Sequence, residues 1–543
     1  MNNLKYIILV LIYIGLYGCA TIPDTNIQKV KGSLKVNEGI VIAEVINNSK
    51  IITSRLTDWN ELVLWKMDEP DKTKATFSIT ALKNPSSSFL FAGRLTAGKY
   101  RVGLLYSFLT LGDASYSARA FIPPAIGEFD VVAGQVTDLG TLLYHSFQIR
   151  SLFQLEMPDY AITRVDNPAL IPSIKRTSPN VFDAIELNNI NGWNEDDNSE
   201  IRNKDYSLMK SSGFTSHIFP IKKSEFVITG KLGAFYYFKN NTVEKINIPT
   251  DREISAFAMT QSGDWIIGGE YGLLMKSSFP FKEWKTISLS DSFNHIIDID
   301  SNNKGMTFVL SFDGNKYNVH EYQNDTFKMH KSFLNKESFW FENGLKPRMK
   351  LYDDRIEVSI DKVQYNLFFN DPTQWKESSI TEYLKIDHQA NGLQLTAKSS
   401  TWSGSGPLLV SKNAGKSWEK VSNSDVTPTF NRPYLFNDGG ILLVQRMDKI
   451  KLFRSIKEYQ KVKVKLSKDK GTTFNQIGEL PKGCYTIAHN ISNDEHLYVW
   501  CDNGEIFTST DRGDNWSGVH VGYQNLFDEF SKQLKVEFSK YRE

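Results

Sequence analysis

Residues able to do chemistry are plentiful in this chain, but few sit at spacings that commit them to a reaction. Nine His are scattered along it. Neither His-Glu-x-x-His nor His-x-His occurs, so the spacings that seat zinc are missing. His489 and His496 can face one another across a hairpin, where a rim pair is the simpler expectation. Asp298-Ile-Asp300-Ser-Asn302 begins like a calcium loop. Gly305 falls too late for such a loop and no Glu closes it, so a turn at a strand end is expected. These residues assign no catalytic group, no metal and no cofactor. Among the three Cys, Cys484 and Cys501 lie on the stretches Cys484 to Ala488 and Leu497 to Cys501. A turn centred between Ser492 and Asn493 sets them opposite each other, within bridging reach. A disulfide is expected in an exported chain, the alternative being two buried thiols. It would add about 3 kcal/mol, an upper figure for a segment already a hairpin.

The third cysteine points to export. Lys5 precedes an apolar run of 11 residues, Tyr6 to Leu16, too short to span a bilayer. The run ends in Leu16-Tyr17-Gly18-Cys19, which resembles a bacterial lipobox, with Tyr17 a less common residue at its place. The resemblance implies a signal peptide over 1–18. Cys19 then becomes the N-terminus, carrying a thioether-linked diacylglycerol and an N-acyl chain such as palmitate. Several acyl chains make a stable membrane anchor where one is marginal. Ala20, in place of Asp, matches the enteric pattern for the outer membrane. The alternative is a cleaved secretory peptide with an incidental Cys.

Three octapeptides late in the chain share one pattern, Ser-x-Asp/Asn-x-Gly-x-x-aromatic. They are Ser411-x-Asn413-x-Gly415-x-x-Trp418, Ser467-x-Asp469-x-Gly471-x-x-Phe474 and Ser509-x-Asp511-x-Gly513-x-x-Trp516. Their chemistry is that of a tight turn. The short Asp or Asn accepts main-chain N–H groups two residues on. The Gly takes φ > 0 without steric cost. The Ser hydroxyl caps the turn and the aromatic packs beneath it. The pattern resembles the Asp-box, or BNR repeat, of sialidases, sortilin-type receptors and photosystem-assembly-factor propellers. In those families the turn lies away from the binding face, so these twelve residues read as structural.

The aromatics closing each repeat, Trp284, Phe327, Trp375, Trp418, Phe474 and Trp516, recur 42 to 56 residues apart. The longest interval holds a Lys/Arg-rich insertion near Lys449 to Lys461. The run Val243 to Ile248 closes a first repeat, for seven in all. The second is the clearest, with strands expected over Ile254 to Met259, Trp265 to Gly268, Leu273 to Lys276 and Trp284 to Ile287. Its turn, Ser277 to Trp284, is a decayed box with Phe279 and Phe281 where Asp and Gly belong. Four short strands repeated at this period predict a seven-bladed β-propeller over 213–522, with six or eight blades as alternatives.

Ahead of it, alternating runs over 36–148 predict a β-sandwich. The phrases Leu95-Thr-Ala-Gly-Lys-Tyr100 and Phe129-Asp-Val-Val-Ala-Gly-Gln-Val-Thr-Asp-Leu-Gly140 resemble small transthyretin-like or carboxypeptidase-regulatory-like modules, which act as spacers or adhesion platforms. Residues 19–35 read as a lipidated linker. Pro158, Pro168, Pro172 and Pro179 mark 149–212 as a connector with room for a short helix over Val181 to Leu187. Leu526, Phe527, Phe530, Leu534 and Phe538 give the tail, 523–543, an amphipathic helical spacing suited to docking on a propeller face. The fold class is all-β.

With 63 basic against 62 acidic side chains the net charge is +1, which gives nucleic acid nothing to bind. Two functions fit. One is an envelope protein whose propeller binds a protein, peptide or glycan. The other is a glycoside hydrolase of sialidase type, which needs converging arginines beside Tyr and Glu. The propeller's arginines include Arg252, Arg348, Arg355, Arg432, Arg446, Arg454 and Arg512. Arg512 lies inside a box turn, and no Tyr/Phe-Arg-Ile-Pro phrase opens the region. The binding role is the preferred expectation.

Overall fold

The computed structural model describes residues 22–28, 34–48, 59–71, 75–82, 88–111, 114–146, 160–183, 185, 187–211, 215–222, 225–239, 242–287, 289, 295–323, 325–335, 347–360, 363–372, 374–379, 383–390, 393–398, 406–413, 417–426, 433–445, 462–481, 484–501 and 505–519. Cys19, Gly415, the Lys449 to Lys461 insertion, Arg432, Arg446, Arg454 and the tail lie outside them. The chain divides into two compact units, which part at Ser207 and Leu208.

The first unit is a two-sheet sandwich. Its strands are β1 (Glu38–Asn47), β2 (Glu61–Lys66), β3 (Thr76–Thr80), β4 (Phe89–Thr96), β5 (Gly98–Leu111), β6 (Ala114–Phe121), β7 (Phe129–Val131), β8 (Val136–Ser146), β9 (Tyr160–Val165) and β10 (Ile190–Asn191). One sheet runs β10-β8-β1-β4 with β9 on β8, the other β3-β2-β5-β6 with β7 on β5. Val41 and Val45 of the first meet Leu62, Tyr100 and Leu105 of the second in one core. The helix α1 (Leu170–Thr177) packs Leu170 and Ile174 beside β1 and β8. β1 is therefore buried along its whole length, which is why it reads as a nearly continuous apolar run.

The stretch expected as a connector belongs largely to this unit. β9 and β10 extend the sheet. Trp193 donates Nε1–H to the Leu139 carbonyl at 2.8 Å and sets its ring edge on Phe129. Arg164 lies over the Trp193 ring, and Asp196 bridges Arg164 and Arg202 at 2.9 and 2.7 Å. α2 (Ser199–Ser211) is a helix of 13 residues. Pro172, which read as a breaker, sits in the first turn of α1, where a helix tolerates it, and Pro168 lies in the turn before that helix.

The second unit is a β-propeller. Its described residues form seven antiparallel four-stranded sheets, each a simple meander, taken here as blades 1 to 7 in chain order. Their leading strands are Thr215–Lys222, Ile254–Met259, His295–Ser301, Arg348–Leu351, Tyr383–Ala390, Tyr434–Leu435 and Cys484–Ile487. Blade 2 follows its sequence reading to within a residue or two: Trp265–Gly269, Leu274–Ser277 and Lys285–Thr286 complete it. Blade 4 forms without any box.

Successive sheets pack face to face through apolar layers. Phe235 and Trp265 join blades 1 and 2, Ile266 and Val309 blades 2 and 3, and Val319 and Ile356 blades 3 and 4. Leu395 and Ile441 join blades 5 and 6, and Val464 and Val499 blades 6 and 7. Blade 7 packs back on blade 1, where Phe226 meets the Tyr498 ring edge-on at 5.5 Å. In blade 7, Cys484 stands opposite Cys501 in register and is bonded to it, so the disulfide ties the leading strand to its neighbour.

Candidate functional site

A four-stranded meander has two kinds of end. The turns after its first and third strands lie at one end. The turn after its second strand, and the link to the next sheet, lie at the other. The three octapeptides each occupy a third-to-fourth turn, between Gly406–Ser411 and Glu419–Val426, Val462–Ser467 and Asn475–Leu480, and Ile506–Ser509 and Ser517–Val519. They define a box end, and the opposite end is the link end.

At the box end the last two copies share one turn chemistry, and the described part of the first follows it. Ser467 and Ser509, both buried, donate to Asp469 and Asp511 at 2.7 and 2.8 Å. Each also accepts the N–H of Gly471 or Gly513 at 2.8 Å. The carboxylates accept N–H groups four residues on, from Thr473 and Asn515, not two residues on as the sequence reading had it. Asn413 does the same with Ser417 N–H, and Ser411 donates to Asn413. Gly471 and Gly513 have φ of 90° and 97°. A Cβ on Gly513 would stand 3.0 Å from Leu442 and 3.3 Å from Val464, both in blade 6, so Gly is needed for the turn and for close packing of blades. Phe474 and Trp516 pack on the layers between blades, and Trp418 is half-buried.

The box carboxylates are spent on these bonds. The Thr473 hydroxyl and N–H, with Ser467, hold Asp469 down to about 2. Burial pulls Asp511 upward, and the Asn515 and Ser509 donors overcome it. Arg512 pairs with Asp438 at 2.7 Å and lies over Phe436, while Asp494 accepts the Asn437 N–H and the Tyr434 hydroxyl. His489 stacks on Tyr434 and His496 closes a turn with Asn493. The box end is a structural seam.

The link end of blades 1 to 3 carries the polar groups that sequence motifs missed. His217 Nε2 sits 3.2 Å from Glu253 Oε1. The Glu253 N–H donates to Glu270 Oε2 at 3.1 Å, and the Glu270 N–H returns to the Glu253 carbonyl at 3.2 Å. Ser255 Oγ donates to the Ile296 carbonyl and lies 3.4 Å from His295 Nε2. Arg252 stacks on Tyr271 at 4.5 Å. Glu253, Glu270 and His295 are all buried. Tight turns hold them there. Leu232 and Tyr271 take φ of 54° and 50° in the second-to-third turns, and Gly233 N–H bonds the Arg252 carbonyl. These residues come from four separate segments. The only sequence signal was positional, a Glu or His at the start of successive leading strands.

One step inward, the blade 3 leading strand offers Asp298 and Asp300. A leading strand has a free edge whose N–H groups need acceptors. Asp298 takes the Met349 N–H at 2.9 Å and Asp300 the Leu351 N–H at 2.8 Å, both on the blade 4 leading strand. Asn302 caps the following turn through the Lys304 and Met306 N–H groups, so this segment is the strand-end turn expected above. Burial pushes the Asp298 carboxyl up to about 7, against the opposing pull of the Met349 bond. Burial also raises Asp300. An Asp raised above its unfolded value holds a proton that the unfolded chain has released. Its contribution therefore weakens as pH climbs from about 4 to about 7, by about 1 kcal/mol per pH unit. Asp298→Asn keeps the acceptor and removes the titration. We expect it to flatten this slope and to match or exceed the parent in stability at pH 8, as read by urea denaturation across pH. A slope unchanged by the substitution would refute the assignment.

The four described propeller arginines are split. Arg252 and Arg348 stand at the link end, Arg355 beside Asp354 and Arg512 at the box end. Among the described residues no group of three or more His, Cys, Asp or Glu is placed to hold a metal ion.

No protein-family model matches the chain, and no curated protein matches it. Solved structures similar to it are propellers. One, described as YCF48 bound to D1 peptide, is 10% identical over 55% of this chain and 93% of its own, at a TM-score of 0.37. A second is an inactive virginiamycin B lyase from Staphylococcus aureus with quinupristin, 10% identical over 54% and 94%, at 0.35. A third is the WD40 propeller domain of Doa1, 10% identical over 54% and 89%, at 0.29. At such scores the fold assignment rests on the meander topology and the face-to-face packing of its sheets.

Proposed function

We propose that this chain is an exported, lipid-anchored protein whose propeller binds a protein, peptide or glycan partner at the cell envelope, through its link end. The observation that carries the reading is the convergence of polar side chains from separate segments at the link end of blades 1 to 3. Two His, two Glu, an Arg and a Tyr from four segments gather there on a rigid frame, the arrangement a recognition surface requires. Cys19 supplies the anchor, with the outer membrane as its destination.

Capture of partners from a native envelope fraction tests this. The double variant Lys231→Glu/Arg252→Glu, with Lys231 in the second-to-third turn of blade 1 and so at the link end beside Arg252, is expected to lose at least tenfold in captured partner. Lys470→Glu, in a box turn, is expected to retain it. Loss with the box-end variant alone would overturn the reading. Turnover of a fluorogenic sialoside by the purified chain would replace it with the hydrolase.

A further inference from the structure

One end of the sandwich is built from four turns, and three of them present an apolar side chain to solvent. Val36 is 99% exposed in the turn before β1, Met67 43% after β2 and Val132 39% after β7. Main-chain bonds draw these turns together around the β4–β5 corner. Asn37 accepts the Ala97 N–H, and the Met67 N–H donates to the Lys99 carbonyl. Val131 pairs with Gly98. The Val132 carbonyl lies where a Cβ on Gly39 would stand, 2.5 Å away. Lone exposed apolar residues are ordinary; several on adjacent turns of one end are not.

The N-terminal segment ends at the same place. Asp24 bridges Ser78 in parallel and Asn26 bridges Gly93 antiparallel. The Ser78 N–H donates to Pro23, the Thr25 N–H to Ser78 and the Arg94 N–H to Thr25. Continued back to Ile22, the first register arrives at Thr76, beside the β2–β3 turn that carries Met67. The second arrives at Ala97, the corner itself. Ile22 is 44% exposed. The chain therefore leaves the sandwich at its apolar end, and three peptide steps separate Ile22 from Cys19, at most about 11 Å when fully extended.

We propose that this end of the sandwich, with Ile22, Val36, Met67 and Val132 at its tip, rests in the bilayer interface. The inference builds on lipidation at Cys19 and replaces the expected role of the sandwich as a spacer. A tether this short holds the tip against the headgroups, and the four side chains find apolar surroundings there. The tip mixes Lys35, Lys66 and Lys99 with Asp68 and Glu69, and Lys99 is already paired with Glu128. The contact is apolar, with no preference for anionic lipid.

The test uses the full chain purified from its membrane, with nitroxide labels on Val36→Cys, Met67→Cys or, as a control on the far half of β5, Phe108→Cys. Mass spectrometry of the N-terminal peptide reports acylation. After reconstitution into phosphatidylethanolamine–phosphatidylglycerol vesicles, the ratio of oxygen to nickel-chelate accessibility reports depth. The expected result is an acylated Cys19 and a ratio several-fold higher at 36 and 67 than at 108. An acylated chain with all three labels equally aqueous would overturn the tip contact and leave the anchor standing. A chain without acyl groups would overturn the anchor, and this inference with it.

Discussion

Gly269→Ala is expected to destabilise the propeller by about 3 kcal/mol or more. A Cβ at this position would stand 1.8 Å from the Glu253 carbonyl oxygen, and that atom is main chain. No rotamer change relieves the clash. Either the second strand of blade 2 or the link between blades 1 and 2 must move, and both are tied. The Glu270 N–H bonds the same carbonyl, and the Glu253 N–H bonds the Glu270 carboxylate. The damage therefore falls on the link-end cluster. Gly263→Ala is the control. Gly263 has φ of 86°, and nothing lies within 4 Å of a Cβ there. It should cost only about 1–2 kcal/mol, from backbone strain. Urea denaturation of the two variants distinguishes the causes, and equal losses would contradict the close approach at Gly269.

The second large effect is expected at the join of blades 7 and 1. Phe226 is 1% exposed, stacks on Phe238 at 4.3 Å and meets Tyr498 edge-on. Phe226→Ala should cost about 3–5 kcal/mol, because the packed layer cannot collapse around the loss without separating two sheets. The diagnostic feature is where protection is lost. Hydrogen exchange should show residues 225–230 and 497–501 opening together, although some 270 residues part them in sequence. The Cys484–Cys501 bond holds blade 7 to itself, so its own strand pairing should outlast its docking on blade 1. Faster exchange confined to 225–230 would mean the two sheets do not support one another.

The parts of the fold legible in the sequence are those specified locally. Gly and Asp punctuate the hairpins of blade 2, so its strands could be placed within a residue or two. The disulfide followed from the symmetry of one hairpin about Ser492 and Asn493. Residues 190–211 were not legible, because tertiary contacts decide them. Trp193 folds under Arg164 and onto Phe129, which no local pattern encodes. The box turns were recognisable, yet their bonding reached two residues further than the sequence suggested, because Ser, not Asp, takes the Gly N–H. The link-end cluster was invisible for a different reason. His217, Glu253, Glu270 and His295 meet only when three sheets stack, and no short motif spans them. Asp298 and Asp300 stood out by their spacing, and the expected strand-end turn follows them at Asn302, but their bonds to the next blade were not legible. A calcium-like spacing turned out to be two acceptors on alternate residues of one strand, serving alternate N–H groups of the next.

Central to the account is that recognition takes place at the link end of the propeller and not at its Asp-boxes. A photo-crosslinking residue placed in living cells at Lys231, or at Lys470, asks this directly. The account predicts a discrete adduct from position 231 and none from position 470. Adducts from 470 with 231 silent would contradict it.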